Sequence, residues 1–574
     1  MRRRESPLRR ICRPEVLEVH PIFTKFAEIQ PVREPRERRL ADGGDKAEDN
    51  EHRVGRAIAV SASRATVLLE CQTIAPLEIG NVVKMRTRAG SVYGMVSRLD
   101  VANPSSKPSD QDLKTAEIEF AGEIGKADGA PTGFQRGTSA YPALDEPVWR
   151  ATPDDLMQVY ARPEAATARI GSIHQAASVP AYILTDELFG KHFSIVGTTG
   201  AGKSCLVAAI LGAVIDRAPN AHLMLLDPHS EYANAFGDRA EVLSPGSGLY
   251  FPYWLFNFEE LAEIVLGSEQ QPDQVKILGE AVLAAKQSYF AKTGLERRGT
   301  VDTPAPYRIA DVLRFIDAAM GSLNRPESVA AYHAVIGRIT ALQNDARYSF
   351  VFNTRMTLRD ELCDILAQLF RIPVAGKPVT ILDLAGIPSE VVNVIVSVLC
   401  RLAFDFALWS EAPVPITIVC EEAHRYAPRD RSLGFDAAKR ALFRIAKEGR
   451  KYGVSLCVVS QRPSDLAPGL LSECNTIFAL RMTGQEDQDI VRSAVPESCY
   501  GLLNFLPALR NGETIAVGEG VSLPMRISLA PLSAERRPKS ATASFTEAWM
   551  NETDGRHIEE TVERWRRGVR QPTG

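Results

Sequence analysis

No run of about 18 uninterrupted apolar residues, the length that reads as a membrane-spanning helix, occurs in this chain. The arginine-rich start, MRRRESPLRR, lacks the apolar core of a secretory signal peptide. The expected setting is therefore the cytoplasm, with no membrane partner. Paired cysteines are missing too: the nine cysteines include no C-x-x-C pair and no Cys/His cluster at metal-ligand spacing, which argues against a disulfide framework or a structural zinc site. Cys205, Cys400, Cys420 and Cys457 sit inside apolar runs and read as reduced core residues. A dominant charge of one sign is also absent. Sixty-seven Lys+Arg against 71 Asp+Glu leave a net charge of −4, so any surface that meets nucleic acid must be local.

What is present is a globular composition, 45% apolar and 24% charged over 574 residues, too long for one core and consistent with three or four units. The stretch that organises the chain is GTTGAGKS, which follows the apolar run HFSIV and opens the apolar run CLVAAILGAVI. Strand, glycine loop and helix in that order are the context that the phosphate-loop pattern G-x-x-x-x-G-K-[ST] requires. Gly197, Gly200 and Gly202 let the backbone turn tightly, so that successive N–H groups face one anion-sized hollow at a helix N-terminus. The cradle is expected to run through Gly197, Thr198, Thr199, Gly200, Ala201, Gly202, Lys203, Ser204 and Cys205. Lys203 reaches the β- and γ-phosphates of ATP, and Ser204 offers its hydroxyl to Mg²⁺.

Along the chain, residues 1–51 read as a flexible basic arm, with eleven Lys/Arg against six Asp/Glu up to Leu40 and prolines at 7, 14, 21, 31 and 35. Residues 52–149 carry short, alternating, β-branched segments punctuated by glycine and proline, which predicts a small all-β barrel or sandwich of about five or six strands serving assembly or docking. A connector over 150–190 leads into the strand before the glycine loop, and residues 150–250 form the first part of a nucleotide domain. Its second strand, in AHLMLLDPHSEY, ends in Asp227, His229 and Glu231. Helical periodicity takes over across 251–377 and reads as an insertion at the sheet's edge. Strands resume over 378–530, and 531–574 form a polar tail with one helix in HIEETVERWRRGV. Apolar strands alternating with helices argue a parallel α/β sheet.

Hydrolysis needs a carboxylate near the metal and another to deprotonate or orient the attacking water. PITIVCEEAHRY supplies both at the end of an apolar strand: Glu421 on the Mg²⁺ side, directly or through a water, and Glu422 as base. Glu421 stands where most such strands end in Asp. In RIAKEGRKYGVSLCVVSQRP, Gln461 ends another strand, where a polar sensor can report the γ-phosphate. Upstream, Arg444, Lys447, Arg450 and Lys451 crowd a helix end. Either they complement the helix macrodipole, or one of them reaches a neighbouring subunit's ATP as an arginine finger.

GTTGAGKS, LLDPHSEY, VCEEAHRYAP and EGRKYGVSLCVVSQRPSDL, in that order, resemble the HerA family of hexameric P-loop DNA translocases, relatives of the FtsK-type motors. The resemblance covers most of residues 52–530. It implies a RecA-like P-loop NTPase domain with a helical insertion, preceded by a β-barrel. It also implies a homo-hexamer enclosing double-stranded DNA, with Lys203 and Ser204 on nucleotide and metal, Glu422 as catalytic acid, Gln461 as sensor, and Arg444 or Arg450 acting in trans. A nuclease or a sirtuin-like effector is the kind of partner it implies, in DNA end processing or bacterial antiviral defence. Departures from the family pattern are Glu421 for Asp, Lys447 where many relatives have Arg, and Ser230 where Gly is common. An ABC-type signature, LSGGQ, is missing. DLAG at residues 383–386 has no N-K-x-D partner, which removes a GTPase reading. The competing function is a non-translocating ATPase scaffold that regulates an effector through the same site.

Overall fold

The computed structural model describes residues 52–567, apart from 71–76, 103–112, 128–129, 246, 268–269, 322–328, 353–359, 412–413, 431–435, 540–545, 547–548 and 551–554. The basic arm expected over 1–51 lies outside the described residues.

Seven strands follow: β1 (Arg53–Val60), β2 (Arg64–Leu69), β3 (Val82–Thr87), β4 (Gly90–Ala102), β5 (Leu113–Ala127), β6 (Ala130–Arg136) and β7 (Pro147–Arg150). Their order is β2-β1-β7-β3-β4-β5-β6, and β2 also pairs with β5. Six strands thus close into a barrel, with β6 added outside the ring. Alternation explains the closure. Val54, Val67, Val83, Met85, Val96, Ile118 and Val148 point into one small core, while their sequence neighbours face out. Five of these strands are legible as alternating runs. β7, only four residues long, and β6 carry too little pattern to be read.

The second sheet has twelve strands. In chain order they are β8 (Thr167–Ile173), β9 (Ala176–Leu184), β10 (Phe193–Val196), β11 (His222–Asp227), β12 (Ala240–Pro245), β13 (Gly248–Leu249), β14 (Val379–Asp383), β15 (Ile416–Cys420), β16 (Val454–Ser460), β17 (Thr476–Ala479), β18 (Glu513–Gly518) and β19 (Met525–Leu529). The spatial order is β13-β12-β14-β11-β15-β16-β10-β17-β18-β19-β8-β9. From β13 to β17 the pairing is parallel; from β17 to β9 it is antiparallel. The all-buried strands β10, β15 and β16 occupy the parallel half, where both faces are covered.

Residues 150–190 correct the reading as a connector. They hold a short helix, Pro153–Val159, and the hairpin β8–β9, which forms the sheet's antiparallel edge through β19. β8 is buried at every position but Arg169 and Ser172 and carries a glycine, Gly171, whose missing side chain lets the Ser528 carbonyl approach; a Cβ there would lie 2.2 Å from that oxygen. A glycine inside a short run hides a strand.

The helical insertion lies between β13 and β14 and comprises the helices Phe258–Leu266, Pro272–Thr293, Ile309–Gly321, Val329–Asn344 and Leu362–Phe370, with shorter turns. The helix Ser389–Trp409, between β14 and β15, is long and apolar enough to cross a membrane by length and composition. It is instead largely buried, with Val396, Val398, Leu399, Cys400 and Phe404 in the main core. Arg401 anchors it to the insertion. The Glu260 carboxylate closes a capping box with Asn257 at the start of Phe258–Leu266. It also accepts from the Ser397 hydroxyl at 3.0 Å and from Arg401 Nη2 at 3.0 Å, and Arg401 Nη2 donates to the Leu255 carbonyl at 2.6 Å. Glu260 is buried and Arg401 nearly so, so removing one strands the other. Glu260→Ala is expected to destabilise the fold by about 3–5 kcal/mol, read as a lower denaturant midpoint. A loss under ~1 kcal/mol would mean that the pair is solvated in solution.

Candidate nucleotide site

The site forms where the parallel strands end. Val196 of β10 pairs with Ser460 of β16 on one side and with Ala479 of β17 on the other, so the glycine loop leaves the sheet between two strand ends. The Gly197 N–H donates to the Ser460 carbonyl at 3.3 Å, and the Thr198 N–H donates to the Arg481 carbonyl at 2.9 Å. Close approach explains Gly197: a Cβ there would sit 2.8 Å from Leu480 Cβ. Gly202, at φ +104, is the N-cap of the loop helix Lys203–Ile215. A left-handed cap of that kind suits glycine and turns the helix's free N–H groups back toward the hollow.

Inside the loop, Lys203 is buried and its Nζ donates to the Gly197 carbonyl at 3.0 Å and the Thr198 carbonyl at 3.4 Å. Burial lowers the ammonium below the ordinary lysine range, while Glu422, Glu421 and Glu231 oppose the shift. The Ser204 hydroxyl donates to Glu231 Oε2 at 2.8 Å. Cys205 is only half-buried, whereas Cys400, Cys420 and Cys457 are in the core as expected.

The acid pair follows β15. Glu421 accepts from the Tyr232 hydroxyl, and burial, reinforced by Glu422, pushes its carboxyl up to about 8 although that hydrogen bond works the other way. Glu422 is held at φ +51, a left-handed backbone that costs a non-glycine residue of order 1 kcal/mol or more. Its Oε1 lies 3.9 Å from His229 Nε2 and its Oε2 lies 3.3 Å from His424 Nδ1. His424 Nδ1 is also 3.2 Å from the Ser460 hydroxyl, which ties the acid to the end of β16. One residue on, Gln461 Oε1 accepts from the Thr199 hydroxyl at 2.5 Å. Asp227, at the end of β11, accepts from the N–H groups of Tyr232 and His229; burial outweighs these bonds and raises its carboxyl to about 6. Ser230 sits at φ +57, the reason a glycine suits that position, and donates to Asp383 at 2.6 Å.

The structure therefore brings together the loop, Glu421, Glu422 and Gln461. Arg444 and Arg450 are elsewhere. They lie before β16, whose seven residues span roughly 20 Å at ~3.3 Å each, so they flank the amino end of the strand that carries Gln461 at its other end. The Arg444 guanidinium stacks over the Phe404 ring at 4.0 Å and stands 3.5 Å from Asp405. Arg450 is exposed. Nothing local in the sequence assigns Tyr232 or Asp383 to the site; only the strand-end turn around each points there.

Magnesium suits hard oxygen ligands, and Ser204 with Glu231 meets that chemistry. Among the described residues no three His, Cys, Asp or Glu converge into a metal cage.

A family model described as "Helicase HerA, central domain" matches residues 168–403. The DNA double-strand break repair helicase HerA of Pyrococcus furiosus is 25% identical over 442 residues, covering 70% of this chain and 75% of its own. The probable DNA double-strand break repair helicase HerA of Methanocaldococcus jannaschii is 25% identical over 449 residues, covering 72% and 86%. The chain is thus similar to HerA helicases across about 70% of its length. Among solved structures, VirB4 of Thermoanaerobacter pseudethanolicus overlaps 65% of this chain and 98% of its own, at a TM-score of 0.48 and 16% identity. The HerA central-domain match opens in β8 and closes in the helix Ser389–Trp409, so Glu421, Glu422 and Gln461 fall beyond it.

Because the folded-state pKa of Glu421 is raised, its contribution to stability is full below about 4.5 and lost as pH rises through about 8. In nucleotide-free protein, Glu421→Gln is expected to flatten the fall in stability between those limits and to make the variant the more stable chain at pH 9. Parallel melting curves of the two chains from pH 5 to 9 would contradict the buried-acid assignment.

Proposed function

We propose that this chain is an ATP-hydrolysing DNA translocase that works as a homo-hexameric ring in the cytoplasm. The observation that carries the reading is the division of the machinery between the two ends of β16. Phosphate loop, acid pair and Gln461 share one end, and Arg444 and Arg450 lie at the other, where a neighbouring subunit's nucleotide is the one they can serve. The names of the HerA relatives, DNA double-strand break repair helicases, support DNA as the track.

In this reading the loop's N–H groups and Lys203 hold the phosphates, and Ser204, with Glu231 or Glu421, holds Mg²⁺. The ion, when bound, neutralises charge developing on the phosphoryl oxygens. The Glu422 carboxylate takes the proton of the attacking water, steadied on either side by His229 and His424. Gln461 exchanges its bond to Thr199 for one to the γ-phosphate and registers its loss. Arg444 is already engaged by Phe404 and Asp405, so the exposed Arg450 is the finger, and a head-to-tail contact closing on itself gives every site one. Duplex DNA runs through the pore, held by its phosphates without base reading. The barrel is the collar on which a nuclease or sirtuin-like effector docks, in DNA end processing or antiviral defence.

Linear duplex DNA is expected to raise the ATPase rate of the purified chain, with binding that weakens steeply with salt and ignores sequence. A rate indifferent to DNA favours the scaffold function instead. Lys203→Ala is expected to abolish nucleotide binding. Glu422→Gln should bind nucleotide normally but lose about 10²–10⁴-fold in turnover, the range for a general base; a wild-type rate would move the role to Glu421 or Glu231. Mixing Lys203→Ala with Arg444→Ala/Arg450→Ala subunits should restore partial activity, since some interfaces then pair an intact loop with an intact finger. Co-assembly without recovery would place the arginines in their own subunit's fold.

A further inference from the structure

The polar tail does not leave the molecule at once. After β19 the Ala530 N–H donates to the Ile170 carbonyl at 3.0 Å, and Leu532 packs on the core beside the loop helix. Arg536 Nη1 then stands 3.5 Å from Asp216 Oδ2, the residue that caps the C-terminal end of that helix. Three residues later the Lys539 N–H donates to the Glu231 carbonyl at 2.9 Å, and the carboxylate of the same Glu231 holds Ser204 at the helix's other end. The segment thus runs along the loop helix from its last residue back to its first turn. Arg537 lies between these two anchors. Its side chain is exposed and its Nε donates to the Leu532 carbonyl at 2.9 Å, which orients the guanidinium and leaves four of its five N–H donors for a ligand. Its charge also bears on the Cys205 thiol, opposing the rise that burial imposes there.

Position along the helix says which part of a ligand this cation meets. Lys203 serves the β- and γ-phosphates and Ser204 the metal, while the amide groups of the turn that continues through Cys205 face the α- and β-phosphates. We infer that residues 531–539 form a strap over the phosphate-loop helix and that Arg537 is a nucleotide-binding residue, giving a second cation to the α-phosphate side of a bound nucleoside di- or triphosphate. This rests on the ATPase reading above and adds to it a contact shared by substrate and product. It also ties nucleotide occupancy to the C-terminal segment, since the strap is seated through Lys539 on the residue that holds Ser204.

The test is calorimetric titration of the full chain with Mg·ADP and with a Mg-bound non-hydrolysable ATP analogue. Arg537→Ala is expected to weaken both by about tenfold, in keeping with loss of a charge-assisted bond. Arg537→Lys should recover part of the loss, and Arg536→Ala, whose partner is Asp216, should stay within about twofold of wild type. Arg537 is exposed, so the nucleotide-free variants should melt with wild type. Equal affinity of Arg537→Ala and wild type, with Lys203→Ala failing to bind, overturns the strap alone. Weakening confined to the ATP analogue overturns it as well, because the contact would then be to the γ-phosphate. A wild-type chain that binds neither nucleotide overturns the ATPase reading and the strap together.

Discussion

One buried ammonium sets the terms for the site. Lys203 is withdrawn from water and bonded to its own loop's carbonyls, and that is tolerable because Glu422, Glu421 and Glu231 face it. Those acids would repel one another if all were ionised in so dry a place. The structure relieves them unequally. Glu421 is pressed toward its neutral form by burial and takes the Tyr232 hydroxyl, whereas Glu422 has two histidines beside it and Glu231 has the Ser204 hydroxyl. Arriving phosphates therefore meet a cation held by backbone oxygens, with one of the three acids, Glu421, already pressed toward its neutral form.

The parts that a reader of the sequence sees are those with redundant signals. The glycine loop has a full pattern and both flanks, and the strands β10, β11, β14, β15 and β16 are short apolar runs because the sheet covers both of their faces. Gln461 and the acid pair are visible for the same reason: each lies within two residues of the apolar end of such a run. The antiparallel half is less visible. β8, β9 and β19 include small, polar or solvent-facing residues and lie at or toward one edge, so burial imposes no continuous apolar run; β12, in the parallel half, lies near the opposite edge and is hidden for the same reason. Long-range contacts are silent altogether. Nothing local to Tyr232 announces that its hydroxyl seeks Glu421, and nothing in a polar tail announces that Lys539 returns to Glu231.

The two ends of β16 also differ in kind. At the carboxyl end, Ser460 and Gln461 are fixed by the loop and by His424. At the amino end, the turn Gly449–Tyr452 and its cations face outward, and only Gly449 among them is fully buried. Gly449 is packed so closely that a Cβ would lie 2.5 Å from the Val454 carbonyl oxygen. The exposed arginine is therefore mounted on a closely packed turn, so ordering it costs side-chain rotamer freedom but little backbone freedom.

The seat of β10 has a consequence for how the chain is made. Its four residues are buried on both faces, and both of their hydrogen-bonding neighbours, residues 454–460 and 476–479, are synthesised some 260 residues later. A chain leaving the ribosome N-terminus first can complete the barrel early. The phosphate-loop strand, by contrast, must wait for residue 479, and the apolar helix Ser389–Trp409 emerges during that wait without β16 beside it. Closing so long a loop is slow because its entropy is lost before the contacts repay it. The nucleotide site is thus among the last things the nascent protein acquires, and the interval before it forms is when a holdase chaperone has the most apolar surface to shield.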